Sequence, residues 1–147
     1  MSITSKPLPK GWPRISSALA YEHAGKAIDW LCKAFGFEVR IKIEGANGTI
    51  EHSELELGDG LIMVAESAVA KRAHFKSPKP LAGANTQWLF VYVDDVDAHC
   101  ARARAAGATI TTEPSDVDYG EGYWADRHYE AIDLDGHHWS FAQRLRG

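Results

Sequence analysis

Alternation of apolar and polar residues is clearest near the end of the chain, from Arg127 to Phe141. Tyr129, Ala131 and Asp133 fall on one side of an extended segment, and His128, Glu130 and Ile132 on the other. In the next segment Trp139 and Phe141 oppose His138, Ser140 and Ala142. Asp135-Gly136 between them signals a tight turn, because glycine adopts positive φ without a Cβ clash. The pattern predicts a hairpin with an apolar face to pack under a helix and a polar face turned elsewhere.

The same pattern occurs upstream. Residues 52–66 align without a gap on residues 128–142, with His52 on His128, Glu54 on Glu130 and Asp59-Gly60 on Asp135-Gly136. Before the first hairpin a strand is expected over 14–22, with Ile15, Ser17, Leu19 and Tyr21 on one face and small Ser16, Ala18 and Ala20 on the other. A helix follows over 24–35, where Ala27, Ile28, Leu31, Ala34 and Phe35 recur at helical spacing before Gly36. Then come a strand over 37–44, a turn over 45–48 and the hairpin over 49–63. The second half repeats the order. It has a strand over 87–93, a helix over 96–106 capped by Asp94-Asp95, a short strand over 108–112 and an acidic loop over 114–122 before its hairpin.

Two copies of one supersecondary unit follow from this self-similarity. The expected organisation is a proline-containing extended arm (1–13), a first βαβββ module (14–66), a linker (67–86) and a second module (87–147), within one structural domain. The fold class is α+β, with curved mixed sheets that combine into a cup. A ferredoxin-like sandwich accommodates the additional hairpin of each half less well.

Composition narrows the function classes. The chain has 147 residues, 45% hydrophobic and 24% charged, as a globular protein has. A net charge of -4 and scattered basic residues argue against nucleic acid as a partner. No apolar run is long enough for a membrane span, and the first residues do not form a signal peptide. Cys32 and Cys100 lie in predicted helices and are expected as reduced thiols, so the cytoplasm is the expected compartment.

Three phrases carry a family resemblance: residues 27–37 (AIDWLCKAFGF), residues 90–97 (FVYVDDVD) and residues 133–139 (DLDGHHW). Together they resemble the vicinal oxygen chelate superfamily of glyoxalase I, extradiol dioxygenases, and fosfomycin- and bleomycin-resistance proteins. Leu134 stands where the family's last motif usually has proline. The resemblance implies the tandem βαβββ cup and a homodimer. It also implies four inward positions that hold a divalent metal in the family's metal enzymes, here falling on Ser16, Val64, Trp88 and Ser140. Valine and tryptophan cannot ligate and a serine hydroxyl is a poor ligand, so no metal and no other cofactor is expected.

On the same carry-over, His52, Glu54, His128 and Glu130 face the concave side as candidate catalytic residues. A histidine can exchange a proton near neutral pH while a carboxylate two residues away orients it. Ser16, Trp88, Phe90, Tyr92, Trp124, His138 and Ser140 are the candidate ligand contacts. They define a flat-sided cavity suited to a planar or aromatic small molecule. Plainer uses exist for these residue types. His-x-Glu also occurs on solvated strands, and Trp88, Phe90 and Tyr92 could fill a closed core or a dimer seam. Three readings follow: a metal-independent small-molecule-binding protein, a glyoxalase-like lyase, isomerase or dioxygenase with an atypical metal or acid/base site, and a ligand-free dimeric interaction module.

Overall fold

The computed structural model describes residues 5–147; the first four residues of the expected N-terminal arm lie outside the described residues. The chain runs β1 (Ser17–Tyr21), α1 (Ala24–Phe35), β2 (Glu38–Glu44), β3 (Ile50–Leu57), β4 (Gly60–Glu66), β5 (Leu89–Tyr92), α2 (Val96–Ala105), β6 (Thr109–Asp118), β7 (Ala125–Ile132) and β8 (His138–Arg146). Two four-stranded sheets result, ordered β1-β4-β3-β2 and β5-β8-β7-β6. In each, the first strand lies parallel to the last, because a helix carries the chain across before the hairpin returns.

The expected α+β class and tandem βαβββ order are present. The largest change in bounds is β6, which extends to Asp118 and absorbs much of the segment expected as a loop. Pairing with β7 supplies its backbone partners, with register irregularities on either side of Thr112.

Both sheets turn one face to a common core. Leu19, Tyr21, Leu55, Ile62 and Val64 of the first sheet join Tyr129, Ala131, Trp139 and Phe141 of the second in one buried cluster. α1 is the wedge between them. Its buried residues recur at helical spacing, and the ring of Phe35 meets Trp139 at 5.2 Å and Phe141 at 4.7 Å. Burying such a side chain is worth about 1.5–3 kcal/mol over leaving it exposed. Trp139 and Phe141, expected under the second helix, therefore pack on both: His99 of α2 lies over Phe141 at 4.3 Å.

Polar groups close the ends of this wedge. Glu66 takes backbone N–H bonds from Ala24 at the start of α1 and from Ile50 of β3. Arg102 of α2 donates to the carbonyls of Cys32 and Lys33 at the C-terminal end of α1. Trp30 donates to the Ala106 carbonyl. Gly36, at φ 82°, lets the chain turn out of α1.

The two hairpins differ at their tips. Leu57 pairs with Gly60, so the first turns on Gly58-Asp59 alone, with Gly58 at φ 59°. Ile132 pairs with His138 across the five-residue loop 133–137. The expected alignment of Asp59-Gly60 on Asp135-Gly136 is thus one residue out of register beyond the turn, and every β4 side chain changes face relative to expectation.

Candidate functional site

Because one face of each sheet is committed to the core, the opposite faces lie on the outer sides of the molecule. No strand of one sheet pairs with a strand of the other. The outer face of the first sheet carries Ala18, Met63 and Ala65, then Ile41 and Ile43 beside Glu54 and His52. That of the second carries Phe90 beside Ser140, Tyr92 beside Ala142, Glu130 beside Ser140 and His128 beside Ala142. Trp88 and Phe90 are 64% and 50% exposed, unusual for side chains of this size. These are the open faces.

Three of the candidate ligand contacts and one candidate catalytic residue meet on the second open face. Trp88, Glu130, His138 and Ser140 line a cavity of about 460 Å³, closed on one side by linker residues 83–87. Asn85 fixes that side, its Oδ1 accepting from the His138 N–H and its Nδ2 donating to the Gly136 carbonyl. Phe90, Tyr92 and Trp124 extend the aromatic surface along the same sheet without lining this cavity. Ser16 precedes β1 and does not line it either.

The two His-x-Glu pairs are separate and unlike. His52 Nε2–H donates to Glu54 Oε1 at 3.0 Å. Arg40 Nε sits 3.4 Å from Glu54 Oε2, a charge contact that lacks hydrogen-bond alignment, since that buried oxygen accepts no bond. The Arg40 guanidinium also lies 3.7 Å over the Trp12 ring, which brings the N-terminal arm to this face. In the second pair no bond joins histidine to carboxylate. Glu130 accepts from Thr112 at 3.2 Å, and His128 Nδ1 is buried without a partner. Among the described residues, none of the five main cavities is lined by both pairs, which lie on the outer faces of different sheets.

The expected metal positions require one correction. Val64 pairs with Leu19 and is fully buried in the core, whereas Met63 beside Ala18 takes the outward place. The shorter turn of the first hairpin causes this one-residue shift. The corrected quartet, Ser16, Met63, Trp88 and Ser140, offers two hydroxyls, a thioether and an indole, which is not a donor set for a divalent metal. Among the described residues no three His, Cys, Asp or Glu side chains converge on one point.

Sequence reasoning passed over a second cluster on the same open face. Asp126, 1% exposed, accepts from the Tyr92 hydroxyl at 2.9 Å and from Arg144 Nε at 2.7 Å. Arg144 Nη2 donates back to the Tyr92 oxygen at 2.7 Å, and its guanidinium lies 5.2 Å from the Tyr92 ring and 5.4 Å from Trp124. The Tyr92 hydroxyl is thereby engaged both as donor and as acceptor, and what remains for a ligand is its ring face. An aspartate and an arginine facing each other across β7 and β8 were the available signal, but only with the register known.

Other titratable groups serve the core. Burial first, and then the neighbouring Asp133 charge, hold the Tyr21 phenol well above the ordinary tyrosine range, so it donates to Asp133 Oδ2 at 2.6 Å. Asp133 also accepts from the Trp139 indole and, as expected for a turn brace, from the N–H groups of Asp135, Gly136 and His137. His137 Nε2–H donates to the Ala20 carbonyl. His99 donates from Nε2 to the Phe35 carbonyl at 2.8 Å, so its Nδ1 accepts from the Tyr129 hydroxyl. Burial lowers the His99 pKa below its ordinary 6.5.

Comparison with known proteins agrees with this architecture. The family model for the Glyoxalase/Bleomycin resistance protein/Dioxygenase superfamily matches residues 15–141. An uncharacterized protein of Mycobacterium tuberculosis is 33% identical over 135 residues, covering 91% of this chain and 76% of the relative. Among solved structures, TioX from Micromonospora is 32% identical with a TM-score of 0.68, covering 90% of this chain and 99% of TioX. TnmS3, an antibiotic binding protein from Streptomyces, shares the fold at 18% identity and a TM-score of 0.58, covering 88% and 93% of the two chains. So does FosX, a fosfomycin resistance protein from Listeria monocytogenes solved with Mn(II), at 14% identity and a TM-score of 0.57, covering 86% and 85%.

Proposed function

We propose that this chain, which belongs to the Glyoxalase/Bleomycin resistance protein/Dioxygenase superfamily, binds a planar, largely apolar small molecule on the open face of its second sheet without the family's metal. The observation that carries this reading is the cavity of about 460 Å³ walled by Trp88, Glu130, His138 and Ser140, a size suited to a small ligand. The exposed Trp88 ring offers an apolar face for affinity, and Asn85, Gln87, Glu130, His138 and Ser140 are the polar groups that would orient the ligand. Use of the same fold by an antibiotic binding protein supports the assignment of class.

The working unit in this proposal is a homodimer. A single chain leaves Ile41 and Ile43 exposed on one open face and Trp88, Phe90 and Tyr92 on the other. Apposing the first face of one copy to the second face of another buries both sets in one interface and closes the cup across two chains. His52, Glu54, His128 and Glu130 then line one cup. We place the protein in the cytoplasm on the same reading; no helix is long and apolar enough to cross a membrane among the described residues.

A thermal-shift screen of planar aromatic compounds, with sedimentation at micromolar concentration, tests the proposal. Saturable stabilisation by at least one compound class and a dimeric mass are expected. A monomer that no member of a broad panel stabilises would sink it. The His52–Glu54 hydrogen bond favours a second, enzymatic reading, because it is a ready general acid–base unit. Elemental analysis of protein purified without chelator separates the two: the binding reading expects no stoichiometric transition metal, and finding one would put the enzyme first.

A further inference from the structure

The linker encloses a second cavity that the proposed site does not use. It measures about 340 Å³ and lies between linker residues 74–87, the Ala18–Ala20 stretch of β1 and His137. Asn85, Thr86, Gln87, Trp88 and His138 line this cavity and the open-face cavity alike. The two cavities therefore adjoin along a common border that includes Trp88 and His138. Their rim is held in place. Asn85 ties the linker to the β7–β8 loop, and Gln87 Nε2 donates to Ser17 Oγ at 2.7 Å.

The two compartments differ in charge. Glu130 is among the residues lining the open-face compartment. The linker compartment is lined by His74, Lys76, His137 and His138, with no aspartate or glutamate. Lys76 takes part in no ion pair among the described residues, whereas nearby Lys79 is already placed between Glu22 and Asp135. An unpaired lysine among the lining residues of a cavity without acids attracts an anion, and imidazole N–H groups add directional donors.

From this division we infer that the ligand is a planar aromatic acid. Its ring system rests against Trp88 in the open-face compartment. Its carboxylate points over the shared border into the linker compartment, where Lys76, His74 and His138 receive it. The inference rests on the open face being the ligand site, and it adds the acidic group and the residues that select it.

Calorimetric titration of the full chain with naphthoate and with its neutral isostere naphthamide tests this. Naphthoate is expected to bind about three- to tenfold more tightly at low salt, the scale of one partly exposed charge contact. Lys76→Met should bring the ratio of the two affinities close to one, while Lys71→Met, a change outside the cavity, leaves the ratio intact. Equal affinities in the unmodified protein overturn the inference and leave open-face binding standing. So does a preference that survives Lys76→Met. If neither probe binds, this inference falls, and the open-face reading is decided by the broader thermal-shift panel.

Discussion

The β3–β4 and β7–β8 hairpins occupy equivalent places in their modules, yet only the second ties the halves of the molecule together. The first turns on two residues, Gly58 and Asp59, both toward solvent. The second turns over 133–137, and its side chains reach outward to the other module. Asp133 accepts from Tyr21, Asp135 accepts from the Glu22 N–H and from Ser77, and His137 donates to the Ala20 carbonyl. One extra residue, and a loop left unpaired over 133–137, convert a chain reversal into a joint. The lesson is that a repeat conserves its strands and helix more strictly than its corners, and that a corner can become the element holding two copies in a fixed orientation.

The sharpest way to break this comparison is to truncate the acid at each turn. Asp133→Ala leaves the buried Tyr21 hydroxyl and the Trp139 indole without their acceptor and unbraces the loop. A loss of about 3–5 kcal/mol in urea unfolding is expected. Asp59→Ala removes an exposed group that makes no such bonds and should cost less than about 0.5 kcal/mol. Similar losses at the two positions would mean that the second loop is no joint.

A smaller effect is expected on the first helix's side of the same core. His99 bridges the Phe35 carbonyl and Tyr129 as a neutral ring, and burial holds its folded pKa below the 6.5 of the unfolded chain. Its contribution is fully present above that value. As pH falls through 6.5 towards the folded pKa, the unfolded chain binds the proton first and stability declines. Urea unfolding measured across this range should show a shallower acid decline for His99→Gln than for the unmodified chain.

The least disruptive change sharpens the contrast between core and open face. Tyr92→Phe keeps the ring on the open face but deprives buried Asp126 of one of its two donors. A loss of about 1 kcal/mol in stability is expected. Ligand affinity should be nearly unchanged, because only the ring face was available for binding; a large affinity loss would show that the phenol contacts the ligand.

Much of this architecture was legible in the residues. Period-two alternation located the hairpins, helical spacing located α1, and the gapless match of 52–66 to 128–142 revealed the repeat. The core placement of Trp139 and Phe141 was also readable, because it follows from alternation along one strand. Val64 was misplaced because one residue fewer separates the partners in the first hairpin, and a one-residue slip exchanges the faces of a strand. Asp126 and Arg144 were missed since their pairing exists only once β7 and β8 are in register.

By itself, then, the sequence determined what is local and periodic: the element types, their order and their duplication. Tertiary structure alone decided what those elements face. Covering the apolar side of both sheets required α1 to lodge between them, and that choice of a shared core left the candidate residues on two outward surfaces. No pattern along the chain records this, because burying apolar area has no direction of its own. Which face meets which is set by how sheets, helices and linker fit together at the density of a protein interior.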